Sequence, residues 1–223
     1  MGEAELSARE MVKDWSNDGH RSTPETANIF VQTRDEVRIV NQMCQQSRLL
    51  SGDMQSKNTK VGTEKIHVGE WVKFTASNRR KGIENSNTGF VTKIAMNGDI
   101  HVTLDREFTK AEKNRGMKKE VVITSKDRKK HQGPDGLLMP AYARTVHAGQ
   151  GLSVDHAYFM PGGSMTNKNL AYVGISRSKV RTKIYIDRDH AGPYLSLIEE
   201  AMKKHIEKAT AHEISSRLTI ERK

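Results

Sequence analysis

Cysteine is almost absent from the chain: Cys44 is the only one in 223 residues. No disulfide can form within it, and a reducing compartment, the cytoplasm, is the expected setting. Long apolar runs are missing too. A membrane helix needs roughly 18 consecutive apolar residues, whereas the longest run here, around Leu137–Ala143, has the length of a core strand. No membrane partner is expected. The opening Met1-Gly2-Glu3-Ala4-Glu5 lacks the basic start and apolar stretch of a secretory signal. Aromatic residues make up only 5% and hydrophobic residues 35%. Apolar clusters nevertheless recur along most of the length, so the chain is not disordered. Acids are outnumbered 27 to 37 by Lys and Arg, for a net charge of +10. Two classes stay open on that charge: a protein that handles a polyanion, and one whose cationic surface serves solubility.

The charge is concentrated. Between residues 106 and 130 stand the bases Arg106, Lys110, Lys113, Arg115, Lys118, Lys119, Lys126, Arg128, Lys129 and Lys130, against Glu107, Glu112, Glu120 and Asp127. Such a run is either a solvated face or a nucleic-acid contact. Few aromatics interleave with it, which argues against a base-stacking platform. Any contact would go mainly to phosphates and carry affinity rather than sequence information.

Three zones follow one another. In the first, to about residue 60, Ser7-Ala8-Arg9-Glu10 reads as a capping box opening a helix with Ala8, Met11, Val12 and Trp15 on one face. Asn17-Asp18-Gly19 stops it. Ala27–Val31 reads as a short strand buried on both faces, as in a parallel sheet. Thr33-Arg34-Asp35-Glu36 then opens a second helix with Val37, Val40, Asn41 and Cys44 on one side. In the second zone, 61–125, the segments 71–75, 89–94 and 99–104 alternate in polarity, and Val121–Ile123 is a further candidate strand. Asn97-Gly98 is a hairpin signal, and the set suggests a small β-barrel. The third zone returns to α/β order, with strands expected at Leu137–Tyr142, Ala157–Met160 and Val180–Ile186 and helices at Asn169–Ser178 and from Pro193. The last helix would bury Leu195, Ile198, Met202, Ile206 and Ala209.

Two segments carry chemistry. In Tyr142–Asp155 a strand releases a polar turn where Gly149 and Gly151 let backbone approach a phosphate or ribose, and Thr145, His147 and Gln150 offer hydrogen-bonding groups. In Asn169–Lys179, Leu170 and Val173 face inward and leave Arg177 near the end of the helix. Read singly, these are a plain turn and a surface arginine.

Together, in this order, "TVHAGQGLSVDHAYF" and "NLAYVGISRSK" resemble motifs V and VI of superfamily 1 DNA helicases, of the branch containing RecD and the helicase parts of conjugative relaxases such as TraA. "IFVQTRDEVRIVN" resembles the motif IV region, and "VGEWVKFTASNRRKGIENSNTGFVTKI" the SH3-like barrel that such enzymes insert. The resemblance implies an α/β, RecA-like domain of the P-loop NTPase type over 1–60 and 126–223, interrupted by a barrel over 61–125. It implies that Arg177 reaches the γ-phosphate of ATP as an arginine finger, and that Gln150 and Gly151 sit beside the nucleotide. Thr33, Asn41, Thr145 and His147 would line a track for single-stranded DNA, with Asn78, Arg79 and Arg80 as contacts from the barrel. Two positions depart from the family: Ala148 stands where many relatives have lysine, and Ser153 where others place a ribose-binding acid.

A phosphate loop of the form G-x-x-x-x-G-K-[ST] is missing from the sequence, and so is an Asp-Glu pair after an apolar strand. Without them nothing cradles the β- and γ-phosphates or ligates Mg²⁺. The expectation is a second motor domain that shares ATP and Mg²⁺ with an N-terminal RecA-like partner, binds neither alone and does not hydrolyse ATP alone. The alternative is a non-catalytic nucleic-acid-binding or docking module derived from such a domain.

Overall fold

The computed structural model describes residues 3–114, 116, 118–131, 136–161, 173, 176–186 and 196. Along the chain run α1 (Glu3–Trp15), β1 (Ala27–Val31), α2 (Arg34–Leu50), β2 (Asn58–Val61), β3 (Glu64–His67), β4 (Trp71–Phe74), β5 (Thr88–Ile94), β6 (Ile100–Leu104), α3 (Lys110–Asn114), β7 (Glu120–Ile123), α4 (Ser125–Lys129), β8 (Leu138–Pro140), β9 (Ala143–Thr145), β10 (Val154–Phe159) and β11 (Ser178–Ile184). They form two compact units. The first is built from the described residues of Met1–Asp18, Thr26–Val40 and Ala143–Lys223, the second from those of Gly19–Glu25 and Asn41–Tyr142. No helix among the described residues is long and apolar enough to cross a membrane.

The first unit is the α/β class with a parallel sheet that the sequence predicts. Its strands lie in the order β11-β10-β1-β9, and every neighbouring pair is parallel. β1 sits between two partners and is buried at all five positions, which is why its sequence is nearly all apolar. Phe30, Val146, Val154, Ala157 and Phe159 form a core beside it. α1 buries Ala8, Met11, Val12 and Trp15, the expected face. It starts four residues earlier than the capping-box reading, because Ser7 to Glu10 lie inside a helix whose first turns are braced by Arg9 donating to Glu5 at 2.8 Å. It ends where expected, in a turn that places Gly19 at φ 92°. β10 and β11 each begin before the expected residue, at Val154 and Ser178. The helix expected over Asn169–Ser178 falls largely outside the described residues, as does the one from Pro193, apart from Ser196.

The second unit holds a five-stranded antiparallel sheet, β7-β6-β5-β4-β8, and the hairpin β2-β3. β6 alternates buried and half-buried residues as read from its sequence. β5 does not alternate cleanly. A register shift between Val91 and Lys93 carries Ile94 to the inner side with Val91. Two strand readings need correction. The β2-β3 hairpin is not legible in the sequence, because its residues are mostly polar and only Val61 and Ile66 give it an apolar pattern. The apolar run at Leu137–Tyr142 does not join the parallel sheet: β8 pairs antiparallel with β4, Lys73 opposite Met139. A continuous buried run does not encode which sheet it enters. The unit consequently extends past 61–125 at both ends.

A buried polar network closes this unit. Glu70 is fully buried and accepts from Tyr142 Oη at 2.5 Å and Gln45 Nε2 at 2.8 Å. Arg48 donates to Tyr142 Oη, Gly69 O and Arg21 O. Burial pushes the Glu70 carboxyl up to about 7, against the pull of the hydrogen bonds and of Arg48.

Candidate nucleotide and nucleic-acid contacts

β1 and β9 run side by side with Ile29 opposite Ala143 and Val31 opposite Thr145, so both leave the sheet at its carboxyl edge. That is the edge where open α/β sheets meet ligands. Thr33 follows β1 there, and Thr145 ends β9 there. The chain then has only residues 146–153 in which to reach β10, which lies on the other side of β1 and starts level with its amino end, Ala27 pairing with His156. It must cross the face of β1. Gly149 marks the crossing, because a Cβ there would overlap the Phe30 ring. Gly151 is glycine for a different reason: φ +86° disfavours a side chain although the space around it is open.

The turn is held by its own polar groups. Thr145 Oγ1 accepts from Ala148 N at 3.2 Å, and Gln150 N donates to His147 O at 3.2 Å. His147, Gln150 and Gly151 are exposed. Thr145 therefore supports the loop with its oxygen, and its hydroxyl proton is still available to donate outward.

Arg177 stands just before β11, at the opposite, amino edge of the sheet. Its carbonyl accepts from Val154 N at 3.0 Å. Its guanidinium is half-buried: Nε donates to Val173 O at 2.9 Å, Nη1 to Leu152 O at 3.3 Å and Nη2 to Ser176 Oγ at 3.0 Å. The two chemistry-bearing segments are thus joined, but at Leu152–Val154. The structure brings Arg177 to the end of the loop that Gly151 introduces, whereas Thr145 and His147 lie toward the other edge. To present its fork to a phosphate, the guanidinium must exchange part of this internal set.

Thr33 caps α2. Its N–H and Oγ1 donate to Glu36 Oε2 at 2.7 and 3.0 Å, Gln32 N donates to the same oxygen at 3.0 Å, and Glu36 N donates to Thr33 Oγ1 at 3.2 Å. A carboxylate already fills this helix start. Asn41 needs correction as a track residue: it is 1% exposed. It shares a helix face with Val37, Val40 and Cys44, all buried, so the spacing that made α2 amphipathic also turned Asn41 inward.

The residues expected to reach DNA from the second unit fare differently. Arg79 and Arg80 are exposed on a short helix, Arg79–Lys81, and Asn78 precedes it, half-buried, with its backbone paired to Ile83 in both directions. Two arginines of the basic run beyond them are tied into the unit. Arg106 donates to Gly82 O and lies over the Phe108 ring. Arg128 donates to Gly98 O, Lys60 O and Thr59 Oγ1. Lys118 is exposed, and it lines a groove with Arg79 and Arg80. Sequence reasoning gives Lys118 only as one base in a long run, because only the fold brings it to the other two.

Arg177 stands beside Leu152, next to the turn at Gly151, and the sequence has no phosphate loop to complete a nucleotide site around them. No group of three or more His, Cys, Asp or Glu that could hold a metal ion occurs among the described residues.

No family model and no curated protein sequence matches the chain. Among solved structures, the Pif1 helicase from Candida albicans aligns with a TM-score of 0.48 at 16% identity, over 82% of this chain and 50% of its own. The Pif1 helicase from Bacteroides in complex with ADP-AlF3 and ssDNA gives 0.47 at 16%, over 96% of this chain and 54% of its own. Unliganded Pif1 from Bacteroides sp gives 0.43 at 17%, over 89% and 50%. The chain thus spans about half the length of these structures. All three TM-scores lie below 0.5, so they carry no residue role over to this chain.

Proposed function

We propose that the chain is the second, RecA-like motor domain of a superfamily 1 DNA helicase, carrying an SH3-like insert, with a conjugative relaxase-helicase of the RecD/TraA branch as the parent. ATP with Mg²⁺ binds between this domain and an N-terminal motor domain, in the cytoplasm, and supplies the phosphoryl transfer that drives movement along single-stranded DNA. Arg177 offers its guanidinium fork to charge developing on the γ-phosphate, a contribution of about 10³–10⁵-fold in other nucleotide hydrolases. Gln150 and Gly151 flank the nucleotide, and Thr145 and His147 face the strand. The observation that supports this reading best is the hydrogen-bonded junction of Arg177 with Leu152 and Val154. The segment bearing the arginine is tied to the loop bearing the glycines, so a change at one end of residues 146–153 is felt at the other.

A non-catalytic binding module is the second reading, and the internal hydrogen bonds of Arg177 favour it. The two separate in a protein that joins this chain to its first motor domain. There Arg177→Ala is expected to lower ATP turnover by about 10³-fold or more while DNA affinity stays the same. ATP turnover that survives the substitution contradicts the motor reading.

A further inference from the structure

The groove on the second unit measures about 500 Å³ and is lined by two stretches far apart in sequence. One is the short helix Arg79–Lys81. The other runs through Lys118, Glu120 and Thr124. Arg79, Arg80 and Lys118 are exposed, and among the described residues none of the three has an ion-pair partner. Lys81 differs. Its ammonium donates to Asp127 Oδ2 at 2.6 Å and to Val122 O at 2.5 Å, and its side chain is only 28% exposed. Asp127 also accepts from Thr124 N and Oγ1, and these bonds with Lys81 hold its carboxyl down at about 2 although burial opposes them. Lys81 is therefore neutralised in place, and among the described residues the positive charge facing the groove comes from the other three. The acid in the lining, Glu120, lies 3.1 Å from His101 Nδ1. Among the described residues the lining contains no aromatic ring.

We propose that this groove seats the sugar-phosphate backbone of a DNA strand, with Arg79, Arg80 and Lys118 each meeting a phosphate and no base being read. The proposal rests on the reading of the chain as a DNA-handling domain and adds the place, the contacts and the kind of recognition. Three cations set around a groove match a repeating anion. A ring-free lining offers no stacking, which elsewhere is worth about 1–3 kcal/mol per base. Recognition is then purely ionic and indifferent to sequence.

The test is fluorescence anisotropy of the full chain with labelled oligothymidylate across a salt series, repeated with a mixed-sequence strand of the same length. Each phosphate contact to a single strand contributes about 0.7 to the slope of log K against log salt. Replacing both arginines (R79A with R80A) is expected to lower the slope by about 1.4, and Lys118→Ala by about 0.7. Lys81→Met should leave the slope unchanged. Glu120→Gln should tighten binding, a gain that misfolding cannot produce. The two sequences should bind alike. Absence of binding, slopes unmoved by the arginine and Lys118 substitutions, a lower slope in Lys81→Met, or a strong preference between the two strands would each overturn the proposal. These readouts need no ATP, so the groove can fail while the Arg177 result stands, and the reverse.

Discussion

The two units solve the same problem of presenting polar groups in opposite ways. In the parallel-sheet unit three candidate side chains are already hydrogen-bonded within the unit: Arg177 to Leu152, Val173 and Ser176, Thr145 to Ala148, and Thr33 to Glu36. In the antiparallel unit the exposed cations of the groove carry no such commitments among the described residues, while the neighbouring charges Lys81, Arg106 and Arg128 hold the scaffold together. The difference teaches that a charged groove can meet a ligand as it stands, whereas a hydrogen-bonded loop would first have to give up a partner. The first suits a contact that must tolerate any sequence. The second suits a contact that must respond to the state of a nucleotide.

Each unit holds one tryptophan, Trp15 in the first and Trp71 in the second, both buried. Trp15→Phe and Trp71→Phe therefore give reporters that follow one unit at a time. The largest expected effect is in the second unit and comes from Glu70. Burial raises its carboxyl from an ordinary 4.5 to about 7, so between those values the folded unit keeps a proton that the unfolded chain has released. The Glu70 contribution is fully present below about pH 4.5, falls as pH rises to about 7 and then levels off, a change of a few kcal/mol at 1.36 kcal/mol per pKa unit. Urea titrations followed by Trp71 should show this decline and Glu70→Gln should flatten it. A decline that persists in the variant assigns the effect to another group.

Next comes Gly149→Ala, in the first unit. The added Cβ runs into the Phe30 ring, and overpacking of this kind costs about 1–3 kcal/mol. The Trp15 signal should report the loss and the Trp71 signal should not. Equal shifts in both would mean that the units unfold as one. The smallest effect is Glu36→Ala, which removes the acceptor for three donors at the start of α2. Removing a capping interaction costs about 1 kcal/mol. It also removes the carboxylate that the first N–H groups of this segment hold, leaving Asp35 in the first turn, so DNA affinity should rise slightly if Thr33 borders the strand. Unchanged affinity removes Thr33 from the track.

Periodicity made much of this legible. The buried strand Ala27–Val31, the inward faces of α1 and α2 and the Asn97-Gly98 turn, where Gly98 takes φ +81°, could all be read from local spacing. Readings that depended on partners at long range could not. The run at Leu137–Met139 is equally apolar whichever sheet receives it, and only pairing with β4 decides. Motif position places Asn41 on the track, while its own helical spacing puts it in the core. Lys118 carried a charge in a long run of charges, and nothing in that run marks it as the one facing Arg79 and Arg80. The glycines of the loop were visible as glycines, but Gly149 owes its identity to Phe30 across the sheet rather than to any ligand.

The measurement that tests the central claim most directly is binding of the whole chain to a labelled single-stranded oligonucleotide across a salt series, with ATP turnover assayed in the same samples. A motor half that lacks a phosphate loop should bind with strong salt dependence and release no phosphate from ATP, with or without DNA. Turnover of ATP by this chain alone, or no binding even at low salt, would contradict that claim.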